Sequence, residues 1–116
     1  ADRAQIEAAN RIGAEVVELH TGAYCDFFAE GKFAQSDAEL KRLREMSAFA
    51  HSLGLEVHAG HGLTYDTVKP VAAFPEVMEL NIGHFLIGES IFLGLEPAIR
   101  QMRDMMDQAR AEAAVA

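Results

Sequence analysis

Three short strand-like segments, each followed by a helix-forming stretch, constrain the fold of this chain more than any other feature. They read "EVVELH" at 15–20, "LEVHAG" at 55–60 and "VMELNIG" at 77–83. Strands that alternate with helices long enough to cross back over a sheet pair in parallel, through right-handed connections. We therefore expect residues 1–116 to form a single α/β segment with the order α-βα-βα-β-α-α, in which the helix before the last is brief.

Capping residues predict where the first two helices begin and end. Asp2 is typical of a helix N-cap and precedes apolar residues at helical spacing. Ser36 and Glu39 have the S-x-x-E spacing of a capping box. This spacing predicts a second helix from about Asp37 that ends at Gly54.

The later helices carry proline near their predicted starts. The stretch 63–74 predicts a short helix that Thr64 or Thr67 caps, with Pro70 tolerated near its first turn. Pro97 is expected to open a final amphipathic helix.

Polar side chains recur on one face of all three strands. Parallel strands that helices cover on both faces are normally continuous runs of Val, Ile and Leu. An open sheet between two helical layers would bury such polar groups without partners, at a cost of about 1 to 3 kcal/mol each. The interior mouth of a (β/α)₈ barrel accommodates such side chains, because active sites lie there. Alternatively, the polar side chains belong to the solvent-exposed face of a small sheet. The polar positions are Glu18 and His20, Glu56 and His58, and Glu79 and Asn81.

The length of the chain conflicts with a complete barrel. A (β/α)₈ barrel needs eight strands and about 250 residues, whereas 116 residues supply three strands. The chain is therefore either a portion of a barrel or a small three-stranded α/β sandwich. The start at Ala1, with no methionine and no strand before the first helix, favours the portion.

Glycine and histidine concentrate in the turns that follow two neighbouring strands. Gly60 and Gly62 flank His61 in "HAGHGLTY", and Gly83 precedes His84 in "NIGH". Glycine permits positive φ and lets a ligand approach the backbone, and free amides at a helix start bind phosphate. These turns predict a phosphate site at Gly62 and at Gly83–His84.

His61 is the candidate proton donor, since imidazole changes its charge near neutral pH and exchanges protons in catalysis. Glu18 from the neighbouring strand could orient it or stabilise a developing positive charge. A metal site is the alternative, because imidazole with carboxylate suits zinc or iron. No H-E-x-x-H or comparable spacing supports it, so we expect no metal. Its ligands would come from His20, His58, His61 and His84 with Glu18.

Charge and cysteine content exclude several classes of partner. The net charge is −8 and the basic residues are scattered, which argues against nucleic acid and anionic membranes. Cys25 is the single cysteine, so neither an intrachain disulfide nor a cysteine-pair zinc motif can form. No apolar stretch approaches about 20 residues, and we expect a soluble, cytoplasmic protein.

Three motifs, "ELHTGAY" at 18–24, "HAGHGLTY" at 58–65 and "ELNIGHFLIGESIFLGL" at 79–95, together resemble the C-terminal half of the pyridoxine 5′-phosphate synthase family. The resemblance runs over nearly the whole chain. It implies the C-terminal portion of a (β/α)₈ TIM barrel, strands six to eight, in a cytoplasmic octamer. The family condenses 3-amino-2-oxopropyl phosphate with 1-deoxy-D-xylulose 5-phosphate and releases phosphate and water, without metal or organic cofactor.

The resemblance also implies roles for five residues. His61 matches the family's proton donor and Glu18 the carboxylate that stabilises the transition state. Gly62, Gly83 and His84 match the positions that bind the aminooxopropyl phosphate substrate.

The chain departs from the family in two ways. His58 stands where the family usually has Asn, so no role transfers to it. The family's two proton acceptors, and the Arg residues for the second phosphate, belong to the other half of the barrel. We therefore expect no turnover from these 116 residues alone. The alternative from another class is a non-catalytic phosphate-binding or assembly half-barrel, which pairs with itself through exposed strand edges.

Overall fold

The computed structural model describes residues 1–116 and confirms three parallel strands that alternate with helices. The strands form one sheet in the order β1-β2-β3, which is the simplest result of successive βα units. The elements are α1 (Arg3–Arg11), β1 (Val16–His20), α2 (Gly22–Ala29), α3 (Phe33–Ser52), β2 (Glu56–Gly60), α4 (Val68–Ala72), β3 (Val77–Asn81), α5 (His84–Leu93) and α6 (Leu95–Ala114).

The register of the sheet aligns the polar side chains in rows, as their alternation predicts. A register irregularity between Val57 and His58 brings Glu79 opposite His58. Because residues paired in register point to the same face of a sheet, the polar groups of the three strands meet on one side of it. One row consists of Glu18, His58 and Glu79, and the next row, at the carboxyl ends, consists of His20, Gly60 and Asn81.

The opposite face of the sheet carries the hydrophobic core. Leu19 and Val57 point into it and pack with Leu43 of α3 and with Phe74, which follows α4. Burying side chains of this size contributes about 1.5 to 3 kcal/mol each. The polar face, in contrast, is exposed at Glu18 and Glu79. Helices therefore cover the sheet on its apolar side.

The six helices include no candidate membrane span.

The capping-box prediction is wrong, because α3 starts a turn earlier than it implies. Ser36 lies inside the helix and is buried, and its hydroxyl donates to the carbonyl of Tyr24 at 3.0 Å. Glu39 accepts instead from Arg42, at 2.6 Å. Ser36 therefore makes a contact between helices and Glu39 an ion pair within α3, and neither caps the helix N-terminus. The helix α2, which no pattern predicted, supplies the carbonyl that Ser36 binds.

The other helix boundaries match the sequence in part. Asp2 caps α1 as predicted, because its carboxylate accepts from the amide of Gln5 at 3.0 Å. Pro70 lies in the first turn of α4, which is shorter than the predicted 63–74. Pro97 lies in the first turn of α6 and does not open it. The expected brief helix is α5, and it has 10 residues.

Candidate active site

A cleft of about 570 Å³ opens at the carboxyl ends of the strands, and we call it the carboxyl-end cleft. Its walls come from β1 and from the turns after β2 and β3. The carboxyl end of parallel strands is where ligands bind in α/β folds. The structure brings all five predicted site residues to this cleft, namely Glu18, His61, Gly62, Gly83 and His84.

Glu18 is held across the sheet by an amide. The side-chain N–H of Asn81, at the end of β3, donates to Oε2 of Glu18 at 2.8 Å. The two side chains meet above Gly60 of the central strand. A Cβ on Gly60 would lie 2.7 Å from the carbonyl oxygen of Asn81 and 2.7 Å from Oε1 of Glu18. Glycine is therefore required at position 60, because Asn81 and Glu18 lie too close for any side chain.

The sequence suggested that the backbone turns at Gly60 and Gly62; the structure confirms Gly62 but has the other positive φ at His61. His61 has φ of 86° and Gly62 has φ of 81°. His61 is the one residue other than glycine with positive φ in the chain. Such a conformation costs of order 1 to 3 kcal/mol and persists only where its surroundings enforce it. Residues of this kind cluster at functional sites, which supports the choice of His61.

The side chain of Thr21 enforces the turn. This residue follows β1 and is fully buried. Its hydroxyl reaches the carbonyl oxygen of Gly60 at 2.8 Å and that of His61 at 2.6 Å, so one proton is shared between two acceptors. The amide of Thr21 also donates to the Gly60 carbonyl, at 2.8 Å.

The ring of His61 stacks on the ring of His20. Their centroids are 4.3 Å apart and the planes differ by 28°. The amide of Gly22 donates to Nδ1 of His20 at 3.1 Å, so a neutral His20 carries its proton on Nε2. The hydrogen bonds that His61 accepts all go to its backbone carbonyl. Its ring nitrogens are therefore available to a substrate.

The two predicted phosphate-binding turns differ in their helices. After Gly62 the chain continues for several residues before α4 begins at Val68, so no helix N-terminus stands at Gly62. After β3, in contrast, α5 begins at His84 directly behind Gly83. The N–H groups at its first turn have no intrahelical partners. The helix dipole therefore acts at Gly83–His84, while Gly62 offers a backbone N–H that no carbonyl of the chain accepts.

Buried side chains of α2 pack against Gly62 and against the residue that precedes α4. A Cβ on Gly62 would lie 3.2 Å from the Cβ of Cys25. Burial raises the pKa of the Cys25 thiol, so this cysteine is a protonated packing residue. The hydroxyl of Tyr24 donates to the carbonyl of Thr67 at 3.0 Å. Burial raises the pKa of Tyr24 to about 12.

His58 lies outside the cleft, one row below it. Its Nε2 is 2.7 Å from a carboxylate oxygen of Glu56, and its Nδ1 is 3.9 Å from one of Glu79. No three His, Cys, Asp or Glu side chains of the chain lie close enough together to hold a metal ion. The alternative set of metal ligands is thus not assembled by these residues.

Sequence reasoning assigned no role to three residues of the site. Asn81 had a visible signal, since it ends a strand on the polar face beside Glu18. Thr21 had none, because a threonine after a strand is common and its two acceptors lie about 40 positions away in sequence. For His20 the sequence predicts only an alternative metal ligand, and its stacking on His61 follows from the register of β1 and β2.

Fold and cleft together define an α/β protein whose parallel strands present imidazole, carboxylate and backbone amide groups at their carboxyl ends, where barrel enzymes have their active sites. Residues 1–108 match the family described as "Pyridoxal phosphate biosynthesis protein PdxJ", and the chain belongs to that family.

Curated relatives carry the name "Pyridoxine 5'-phosphate synthase". The chain is 80% identical to the one from Ruegeria pomeroyi over 111 residues, and 67% identical to that from Cereibacter sphaeroides over 113 residues. It is 62% identical to the relative from Caulobacter vibrioides over 111 residues. The matches cover 96 or 97% of the chain but only 44 or 45% of each relative. The chain therefore spans less than half the length of these relatives.

Proposed function

We propose that the chain is the C-terminal portion, strands six to eight, of the (β/α)₈ barrel of a pyridoxine 5′-phosphate synthase. With the remainder of the barrel it condenses 3-amino-2-oxopropyl phosphate with 1-deoxy-D-xylulose 5-phosphate and releases phosphate and water. The observation that carries the proposal is the carboxyl-end cleft, which gathers Glu18, His61, Gly62, Gly83 and His84. The printed name of the 80% identical relative supports the same reaction.

His61 acts as the general acid in this proposal. Its ring nitrogens are unpaired within the chain, and the strained turn holds the imidazole at the wall of the cleft. A positioned acid that protonates a leaving oxygen accelerates such a step by about 10² to 10⁴. The loss of water in the condensation requires a proton donor of this kind.

Glu18 stabilises positive charge that develops on the nitrogen of the amino substrate. The Asn81 amide fixes one of its oxygens, so the carboxylate is oriented before substrate binds. Glu18 has no hydrogen bond to His61, and we therefore favour charge stabilisation over the alternative that it orients the imidazole.

The phosphate of the amino substrate binds between the two turns. Backbone N–H groups at Gly62 and at Gly83–His84 line one cleft, and α5 directs its positive end at the same place. The absent side chain at Gly83 leaves open space for phosphate oxygens near the backbone, whereas Gly62 contributes its backbone N–H.

The other half of the barrel supplies the two proton acceptors and the Arg residues for the second phosphate. The enzyme works in the cytoplasm as a homo-octamer, without metal or organic cofactor. The exposed polar face of the sheet becomes part of the barrel interior when the remaining strands are present. The chain alone gives no turnover, and pyridoxine 5′-phosphate formed by it would contradict this division of roles.

A chimera tests the proposal. In the Ruegeria pomeroyi synthase, the 111 matching residues are replaced by those of this chain, and product formation is measured. We expect turnover in the chimera and a loss of about 100-fold or more in His61→Asn. His58→Asn is the matched control, because it makes the same change one row below the cleft and should keep turnover. Equal activity of the two variants would refute the role of His61.

The second candidate function is a non-catalytic phosphate-binding or assembly half-barrel. The exposed polar face and the unpaired outer edges of β1 and β3 favour it. Calorimetric titration with each phosphate substrate separates assembly from substrate binding, and turnover of the chimera separates the synthase from a phosphate-binding module. Oligomer formation without binding supports the assembly module, whereas binding that is lost in a His84 variant supports the substrate site.

A further inference from the structure

We infer that the junction of β1 and α2, which consists of His20, Thr21 and Gly22, positions the imidazole of His61 for proton transfer. The inference rests on the proposed role of His61 as general acid. None of the three residues lines the carboxyl-end cleft. They therefore act through His61 and not on substrate, and we call them the positioning turn.

The first contribution of the positioning turn is to the backbone. His61 has φ of 86°, a conformation that an L residue leaves unless contacts hold it. The hydroxyl of Thr21 reaches the carbonyl oxygens of the two peptide groups that flank His61, those of Gly60 at 2.8 Å and of His61 at 2.6 Å. Since Thr21 is fully buried, water cannot replace these hydrogen bonds.

The second contribution is to the side chain. His61 is exposed, and its ring makes no hydrogen bond within the chain that would select a rotamer. The ring of His20 lies against it at 4.3 Å between centroids. The amide of Gly22 in turn fixes the ring of His20 through Nδ1. Stacking on a fixed ring thus orients a catalytic ring and leaves both of its nitrogens unpaired.

Gly22 makes this arrangement possible because it has no side chain. A Cβ at this position would lie 2.4 Å from Cε1 of His20 and 3.1 Å from Cδ2 of His61. Both imidazoles therefore occupy space that any other residue would fill. Gly22, His20 and His61 therefore fit closely together. Positioning a proton donor requires such a fit, since a displacement of about 1 Å can cost about 100-fold in rate.

The test uses three His20 variants of the chimera. His20→Phe keeps a flat ring for stacking, His20→Asn keeps an acceptor for the Gly22 amide but no ring, and His20→Ala keeps neither. We expect kcat to fall about tenfold in the Ala and Asn variants and less than about threefold in the Phe variant. KM for both phosphate substrates should stay within about twofold, because the phosphate amides do not depend on His20.

Thr21 provides an independent pair of variants. Thr21→Ser keeps the hydroxyl, whereas Thr21→Val keeps the shape and loses it. The Ser variant should retain kcat within about threefold, and the Val variant should lose about tenfold or more. If Thr21→Val does not fold, the His20 series decides the matter, because His20 is exposed and its substitution does not disturb the core.

A double variant separates positioning from a structural role. In the His61→Asn background, His20→Ala should reduce kcat no further, since it acts only through the imidazole. A further tenfold loss there, or an unchanged kcat in His20→Ala alone, would overturn the inference and leave the proposed function intact. Full activity of His61→Asn would overturn the proposed function, and the inference with it.

Discussion

The two glycine–histidine turns of the site look alike in sequence but differ in what determines their shape. In the turn after β2, His61 and Gly62 both have positive φ, and buried groups of the β1 turn and α2 hold them. In the turn after β3, Gly83 has φ of −119° and nothing lies within 4 Å of the place where its Cβ would stand.

The difference separates glycines that folding requires from those that only function can require. Gly60 and Gly62 are enclosed by other groups of the chain, so the first turn is formed before any ligand binds. The space beside Gly83 is open, so any need for glycine there comes from a group that approaches from outside, such as a substrate phosphate. The first turn positions the proton donor, and the second offers a helix N-terminus.

Gly60→Ala should have the largest effect on stability. Its Cβ would meet a backbone oxygen and a carboxylate oxygen at 2.7 Å, so a strand or Glu18 must move. We expect a loss of about 3 kcal/mol in the free energy of unfolding, near the upper end for overpacking. Thermal unfolding of the chimera measures it, and a transition unchanged from the parent would contradict the close packing of this turn.

High pH should have the second-largest effect, through Tyr24 of α2, whose hydroxyl donates to the carbonyl of Thr67 before α4. The pKa of Tyr24 is raised from 10.0 to about 12, mainly by burial. The folded state therefore favours the neutral phenol, so its contribution is complete below pH 10 and is lost as pH rises towards 12. Two pKa units correspond to about 3 kcal/mol, of which about 2 kcal/mol is lost by pH 12, where the phenol of the folded state is half ionised. The free energy of unfolding, measured against pH between 10 and 12, should fall more steeply in the parent chimera than in Tyr24→Phe. Parallel pH dependences would refute the raised pKa of Tyr24.

The strain at His61 predicts a smaller effect. His61→Gly and His61→Ala both remove the imidazole, but only glycine accepts φ of 86° without cost. The Gly variant should be more stable than the Ala variant by about 1 kcal/mol. Chemical denaturation of the two chimeras tests this, and an Ala variant of equal or greater stability would show that the turn is not left-handed in solution.

Gly83→Ala should have the smallest effect on stability, within about 0.5 kcal/mol. The space is open and φ of −119° suits any residue. Affinity for inorganic phosphate should nevertheless fall, because the new methyl group faces the proposed site. Melting in phosphate-free buffer and phosphate titration give the two results separately. A large loss of stability in Gly83→Ala would contradict the claim that folding requires glycine at position 60 but not at position 83.

Much of this architecture follows from the sequence, because strands and polar faces depend on local alternation. The three strands and the row of Glu18, His58 and Glu79 are cases of this kind. The failures lie where a distant contact overrides a local pattern. Ser36 resembles a helix cap, but Tyr24 offers its hydroxyl a buried carbonyl.

The details of the site were less predictable for the same reason. Glycine is the residue that normally adopts positive φ, so the sequence suggested Gly60 and Gly62, whereas the structure has positive φ at His61 and Gly62. The hydroxyl of Thr21, which follows another strand, stabilises this conformation through the carbonyl of His61. The stacking of His20 on His61 likewise depends on the parallel register, which no local pattern reveals.

A crystal structure of the chimera with inorganic phosphate tests the central claim most directly, namely that one cleft joins a proton donor held by the chain to a phosphate site. We predict that phosphate accepts hydrogen bonds from the N–H groups of Gly62 and of Gly83 or His84, with His61 stacked on His20 at positive φ. Phosphate bound elsewhere, or His61 unstacked and at negative φ, would contradict the account.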